Sequence, residues 1–186
     1  RATIDADAPL NTQVRLQART DGAAPWTAEA RADGPLARLA LQGHARGPAA
    51  TDAQRAELQA RVEFQPFAAW PWGAVQLQGH QVDLSAWSEH WPRTALHGNV
   101  ALDTQGRDRP AQAQVQIQNR LPGPWSQGRL PLSEVRATVS GRPSQPDDLR
   151  IEQFAVQLDG GGPATAGSIT ATGRWHADRL ELALQL

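Results

Sequence analysis

The chain of 186 residues contains no cysteine, no methionine and no tyrosine, and all 18 of its basic side chains are arginine. Without cysteine there are no disulfides, no thiolate nucleophile and no cysteine-ligated metal. The net charge is -1 and the pI about 6.6, so no basic footprint for nucleic acid is present. Long hydrophobic runs are also missing. The longest nearly apolar stretch, FAAWPWGAV at 67–75, is interrupted by Pro71, whereas a membrane-spanning helix needs about 20 apolar residues. Helical periodicity is scarce. A narrow alphabet rich in Ala, Arg, Gly and Pro reads as the codon bias of a GC-rich genome. The chain opens at Arg1 in mid-pattern, which reads as a mature product or an excised piece.

What the sequence does contain is alternation with period two. In AQAQVQIQN (111–119), Ala111, Ala113, Val115 and Ile117 face one way and four glutamines the other, the mark of a half-buried strand. The same reading fits 11–19, with Val14 and Leu16 inward, and 55–64, with Leu58, Val62 and Phe64 inward. It fits 179–186, with Leu180, Leu182, Leu184 and Leu186 inward. Turn clusters separate the strands: Asp21-Gly22, Asp33-Gly34-Pro35, and the stretches 106–110, 121–124, 141–146 and 159–163. About eleven strands are expected. Helix is expected only as one or two turns in DLSAWSEHW (83–91), capped by Asp83 or Ser85 and ended by Pro92. Residues 50–58 are a weaker helical option. Five strands carry a glycine in the apolar register: Gly43, Gly79, Gly98, Gly141 and Gly173. These either mark strand ends or let a sheet curl and something approach its backbone. The chain is all-β and reads as one segment over 1–186 with no internal boundary. With no sizeable amphipathic helix to cover the apolar face, the sheet either closes as a barrel or sandwich or curls over something else.

Catalytic chemistry finds little to stand on. His44, His80 and His97 share the polar register, and His90 and His176 fall in expected loops. No pair has the spacing of a helix-borne zinc site. Asp5/Asp7 and Asp147/Asp148 sit beside turns or the chain end and read as solvated carboxylates. DGGGP (159–163) lacks the lysine of a phosphate loop and reads as a hairpin turn. No GxSxG elbow surrounds any serine. No cofactor, no metal and no enzymatic activity are expected. Of the seven tryptophans, Trp26 and Trp175 continue apolar registers. Trp70, Trp72, Trp87 and Trp91 flank the Val75–Leu77–Gly79 strand in its connections. They read as plugs of the core end or, alternatively, as the rim of an apolar surface where a ligand enters.

The stretches FQPFAAWPWGAVQLQGHQVDLSAWSEHWPRTALHGNVALDT, PAQAQVQIQNRLPGPWSQGRLPLSEVRATVSGRP and ITATGRW resemble the TamB family, within the wider AsmA-like group, over most of residues 36–186. That resemblance implies a long antiparallel-rich sheet curled into an open U, a β-taco, with an apolar interior. It implies a periplasmic place in a protein anchored in the inner membrane of a Gram-negative bacterium. It also implies a role in carrying phospholipid between inner and outer membrane in support of outer-membrane biogenesis. Neighbouring segments of the same long chain are implied partners, as is an outer-membrane barrel contacted through a region outside this segment; nucleic acid is not. On this reading the inward residues Val14, Leu16, Leu39, Leu41, Leu58, Val62, Phe64, Val75, Leu77, Leu96, Val100, Leu102, Val115, Ile117, Val135, Val139, Ile169, Trp175, Leu182 and Leu184 line a lipid groove. Trp70, Trp72, Trp87 and Trp91 form a structural aromatic cuff over a lip of that groove. Eleven strands make a trough roughly 50 Å long. The rivals are a closed β-sandwich that binds carbohydrate as an adhesin module does, and a scaffold that templates outer-membrane strands through open sheet edges.

Overall fold

The computed structural model describes residues 2–4, 11–21, 25–48, 55–88, 90–160, 166–177 and 179–185. Asp5 and Asp7, Gly22, residues 50–54 of the helical option, 161–163 of the glycine-rich turn and Leu186 lie outside them. The fold is a single antiparallel meander. Its strands are β1 (Ala2–Ile4), β2 (Asn11–Arg19), β3 (Thr27–Pro35), β4 (Leu39–Arg46), β5 (Glu57–Phe64) and β6 (Trp72–Val82). They continue as β7 (Leu96–Thr104), β8 (Ala111–Asn119), β9 (Glu134–Arg142), β10 (Gln145–Asp159), β11 (Ala166–His176) and β12 (Arg179–Gln185). Spatial order equals sequence order from β1 to β12, and β1 does not pair with β12. The sheet is therefore open. The closed-sandwich alternative is set aside, because among the described residues one sheet contains every strand and no second layer packs on it.

Register makes the two faces. Because side chains alternate across a strand, one continuous antiparallel register aligns like with like over the whole sheet. One row runs Val14, Ala32, Leu41, Val62, Val75, Leu102, Ala113, Val139, Ile151, Gly173, Leu182. The next runs Leu16, Ala30, Gly43, Ala60, Leu77, Val100, Val115, Ala137, Phe154, Ala171, Leu184. A third runs Ala18, Ala28, Ala45, Leu58, Gly79, Gly98, Ile117, Val135, Val156, Ile169. None of the three contains a polar side chain. The rows between them, such as Arg15, Arg31, Gln42, Arg61 and Gln76, are polar and point the other way. Exposed ion pairs cross that polar face, among them Arg15–Glu29 at 3.0 Å and Arg38–Glu63 at 2.9 Å. Such pairs contribute about 0–1 kcal/mol each.

No second layer of described residues covers the apolar face. Among the described residues no large side chain is fully buried, and only Leu39, Ala56, Val82, Val156 and Ala171 are buried apolar residues. Accessible surface totals 12575 Å², against about 8,700 Å² for a compact monomer of 20.1 kDa. The excess is what an uncovered sheet face leaves in water.

Some local expectations need correction. Trp72 opens β6 and is not in the preceding connection. The helical stretch reduces to one 3-10 turn, Leu84–Ala86, capped by Asp83, whose carboxylate accepts the Ser85 N–H at 3.0 Å. A second such turn, Trp125–Gln127, stands in the β8–β9 connection. The turn clusters at 33–35 and 141–146 fall largely inside strands, so the reversals themselves are shorter, at 36–38 and 143–144.

Candidate functional site

The sheet is curled toward its apolar face at one end of the strands. In a flat sheet the β2–β3 and β6–β7 connections would stand about 19 Å apart, four strand spacings. Instead Trp26 from the first stacks on Trp87 from the second, ring centroids 5.5 Å apart at 24°. Trp26 lies on the apolar side over Gly47, where an added Cβ would meet the indole at 2.9 Å. The apolar face also holds a groove of about 570 Å³ spanning β2 to β8, lined by Leu16, Ala18, Ala28, Ala30, Leu58, Leu77, Gly79, Val82, Leu96, Val100 and Ile117, among others. Small residues on β3 to β5 widen it. Gly79 and Gly98 stand opposite each other on β6 and β7 and thin its floor. Gly98 has no room for a side chain, because an added Cβ would collide with the Gln116 carbonyl oxygen and reach the Ile117 Cα at 2.9 Å.

A polar clamp holds the loop end in place. Asn119, 4% exposed, accepts the N–H groups of Ala95 at 3.2 Å and Leu121 at 3.1 Å, and its amide donates to the Leu130 and Leu132 carbonyls. The buried Thr94 hydroxyl donates to the Val82 carbonyl at 3.1 Å and accepts the Leu84 N–H at 3.0 Å. Asp83 accepts the Thr94 N–H at 3.0 Å. Arg93 and Arg129 join the two connections through a parallel bridge, with the Arg93 N–H on the Gly128 carbonyl at 2.8 Å. Gln81, at φ 53, turns β6 into this clamp through a bulge between Gly79 and Val82. The left-handed backbone of a non-glycine residue is retained because the hydrogen bonds on both sides over-determine it.

All twenty residues assigned to the inward face lie on one face of the sheet. Of those on β2 to β8, Leu16, Leu58, Leu77, Leu96, Val100 and Ile117 line the groove, and Val14, Leu39, Leu41, Val62, Phe64, Val75, Leu102 and Val115 lie on the same face outside its lining. Val135, Val139, Ile169, Trp175, Leu182 and Leu184 extend the face beyond it over β9 to β12. Several stay in water: Leu16 is 63% exposed, Leu77 42% and Leu184 64%. Leu149, Ile151, Phe154 and Val156 on β10 belong to the same face and are absent from the twenty. The four tryptophans do not form one cluster. Trp70 and Trp72 stand at the start of β6, with Trp72 tilted against Phe64 at 5.0 Å, while Trp87 and Trp91 stand at its other end. Trp87 is 46% exposed and Trp91 is exposed, so only part of each indole is removed from water.

Of the polar-register histidines, His44 and His97 contribute to the lining of the groove and His80 does not. His80 and His97 meet edge to face at 4.3 Å. The His97 imidazole titrates below its ordinary value, chiefly from burial and then from the nearby charge of Arg120 and the ring of His80. Among the described residues no group of three His, Cys, Asp or Glu side chains is placed to hold a metal ion. No helix is long and apolar enough to cross a membrane. The arrangement offers a long, water-exposed apolar surface with polar groups kept to its back and ends. Comparison with family models, with curated proteins and with solved structures finds no match to this chain.

Proposed function

We propose that the chain is a segment of a lipid conduit, in which the apolar face of the curled sheet carries phospholipid acyl chains and leaves the headgroup at the open mouth. The observation that carries this reading is the set of three wholly apolar rows that cross ten or eleven strands with no second layer of described residues packed on them. Each methylene taken from water into such a groove contributes about 0.8 kcal/mol. A groove of about 570 Å³ falls in the size range of small-molecule sites. Rows without a polar break let an acyl chain shift from strand to strand without re-entering water. The conduit works without chemistry at the lipid and without a cofactor. The resemblance to the TamB family adds the setting: the periplasm of a Gram-negative cell, with transfer between its two membranes.

The test is site-specific photocrosslinking. A crosslinker at Leu58, Val62, Leu77, Val100, Val115 or Ile117 captures phospholipid, and one at Gln59, Gln76, Gln114 or Gln116 does not. Equal labelling of the two faces would overturn the reading. A scaffold for outer-membrane strands draws on a different observation: β12 pairs on one side only, and all seven of its residues are exposed. That reading expects polypeptide, captured at the β12 edge, in place of lipid captured along the rows.

A further inference from the structure

The polar face of the sheet carries a second concavity, over β9 to β11, of about 1190 Å³. It owes its shape to β10, whose register slips between Gln145 and Leu149 and between Ile151 and Gln153 against β9, and between Ile151 and Phe154 against β11. Bulges of this kind bend a strand and re-aim its side chains. Ser140, Arg142, Asp148, Arg150, Glu152 and Arg174 line the cleft. Arg150 stands directly across from Arg174 on β11 and from Ser140 on β9. Like charges opposed across an antiparallel pair repel, so the placement calls for an anion.

The chain supplies only part of it. Asp148 takes Arg174 in a two-pronged pair, Nε to Oδ1 and Nη2 to Oδ2, both 2.8 Å. The same carboxylate lies 3.6 Å from the His176 imidazole. Glu152 is occupied otherwise, accepting the Ser140 hydroxyl at 2.7 Å and the Gln112 amide at 3.4 Å. Arg142 and Arg150 have no ion pair among the described residues. Two guanidinium groups without an ion pair thus face one cleft, which the Glu152 carboxylate also lines, beside a third whose orientation Asp148 fixes. The planar fork of arginine matches the oxygens of phosphate, and charge-assisted bonds of this type are the stronger ones.

We infer that this back-face cleft binds a phosphate-bearing group through Arg150 and Arg142, with the Arg174–Asp148 pair as its fixed wall. The site is separate from the apolar rows, being on the opposite face, and it stands whether or not those rows carry lipid. The phosphate can belong to a soluble molecule or to a lipid headgroup, and the experiment distinguishes the two.

The purified chain is titrated at low ionic strength with inorganic pyrophosphate, followed by amide chemical shifts. In parallel it is sedimented with vesicles of phosphatidylglycerol and of phosphatidylcholine. Saturable shifts centred on 140–152 and 172–174 are expected. Arg150→Gln weakens binding about tenfold, the scale of one charge-assisted contact. Arg61→Gln, which removes an exposed arginine on the polar side of β5, leaves it unchanged. Pyrophosphate binding alone assigns a soluble phosphate. Arg150-dependent binding to phosphatidylglycerol vesicles assigns the headgroup. No saturable response to either probe at millimolar concentration, or equal loss on Arg61→Gln, would refute the site. Circular dichroism melts of the variants confirm that a loss of binding is not a loss of fold.

Discussion

The stretch β6 to β9 and the stretch β11 to β12 are made of the same material and end differently. Both alternate apolar and polar residues, and both pair only with sequence neighbours. The β6–β7 and β8–β9 connections fold back and interlock through Thr94, Asn119 and the Arg93–Arg129 bridge. Beyond β11 the described residues make no comparable clamp, the Ala177 N–H on the Asp147 carbonyl aside, and every residue of β12 is exposed. The apolar rows run through both stretches, so they do not account for the difference. Polar groups at the strand ends account for it: they hold the curl that the apolar face by itself leaves undetermined.

The largest test of that contrast is Asn119→Ala. It strands two N–H groups and two carbonyls at the centre of the clamp, and each buried polar group without a partner costs about 1–3 kcal/mol. A loss of about 2–4 kcal/mol is expected in urea unfolding, because water re-enters part of the site. Gln185→Ala on β12 is expected to change stability by less than about 0.5 kcal/mol. Similar midpoints for the two variants would mean the clamp does not hold the curl.

Next in size is a pair of glycines. Both Gly98 and Gly173 lack room for a Cβ against the neighbouring strand's backbone, Gln116 in one case and Glu181 in the other. Gly98 lies between two strands fixed on both sides, so Gly98→Ala should cost about 1–3 kcal/mol as overpacking does. Gly173 faces β12, an edge strand that can move away. Gly173→Ala should therefore lower the melting temperature by clearly less. The reverse order would show that β12 is held as firmly as β8.

The smallest effect is one of pH, and it belongs to the clamped stretch. The folded chain disfavours protonation of His97, through burial first and then Arg120 and His80. As pH falls through about 6.5, the unfolded chain takes up the proton before the folded chain does, so stability declines there and levels once the folded imidazole is also charged. Melts between pH 7.5 and pH 5.5 should show a shallow fall that His97→Gln flattens and His90→Gln, in the exposed loop, does not. The lowered carboxyls of Asp33 and Asp148, each held by an arginine, act in a lower window, below about pH 4.

Alternation made most of the sheet legible. Residues 111–119 read directly as β8, and the inward glycines 43, 79, 98 and 173 fall in rows where the sheet curls or strands approach closely. The unpaired apolar face was also readable, from the lack of any helix to cover it. β10 was not legible, because its bulges put Ile151 and Phe154 three apart and break the period of two. The stacking of Trp26 on Trp87 joins positions 61 residues apart and has no local mark. The clamp escaped notice for a related reason: Asn119 ends a clean alternating run, and only the arrival of residues 130–132 gives its amide carbonyls to bind. The cleft at Arg150 depends on which arginines lack carboxylate partners, and composition does not carry that information.

Because spatial order follows chain order throughout, each strand pairs with its sequence neighbour. The longest closures are those of the connections 83–95 and 120–133, and low contact order of this kind favours rapid folding. Such a ladder is nearly one-dimensional: its cohesion is a sum of neighbour-to-neighbour terms, as in a repeat array. It can therefore be laid down strand by strand as the polypeptide emerges. Adding or losing one hairpin alters its length by two spacings, about 10 Å, without disturbing the pairing of strands elsewhere.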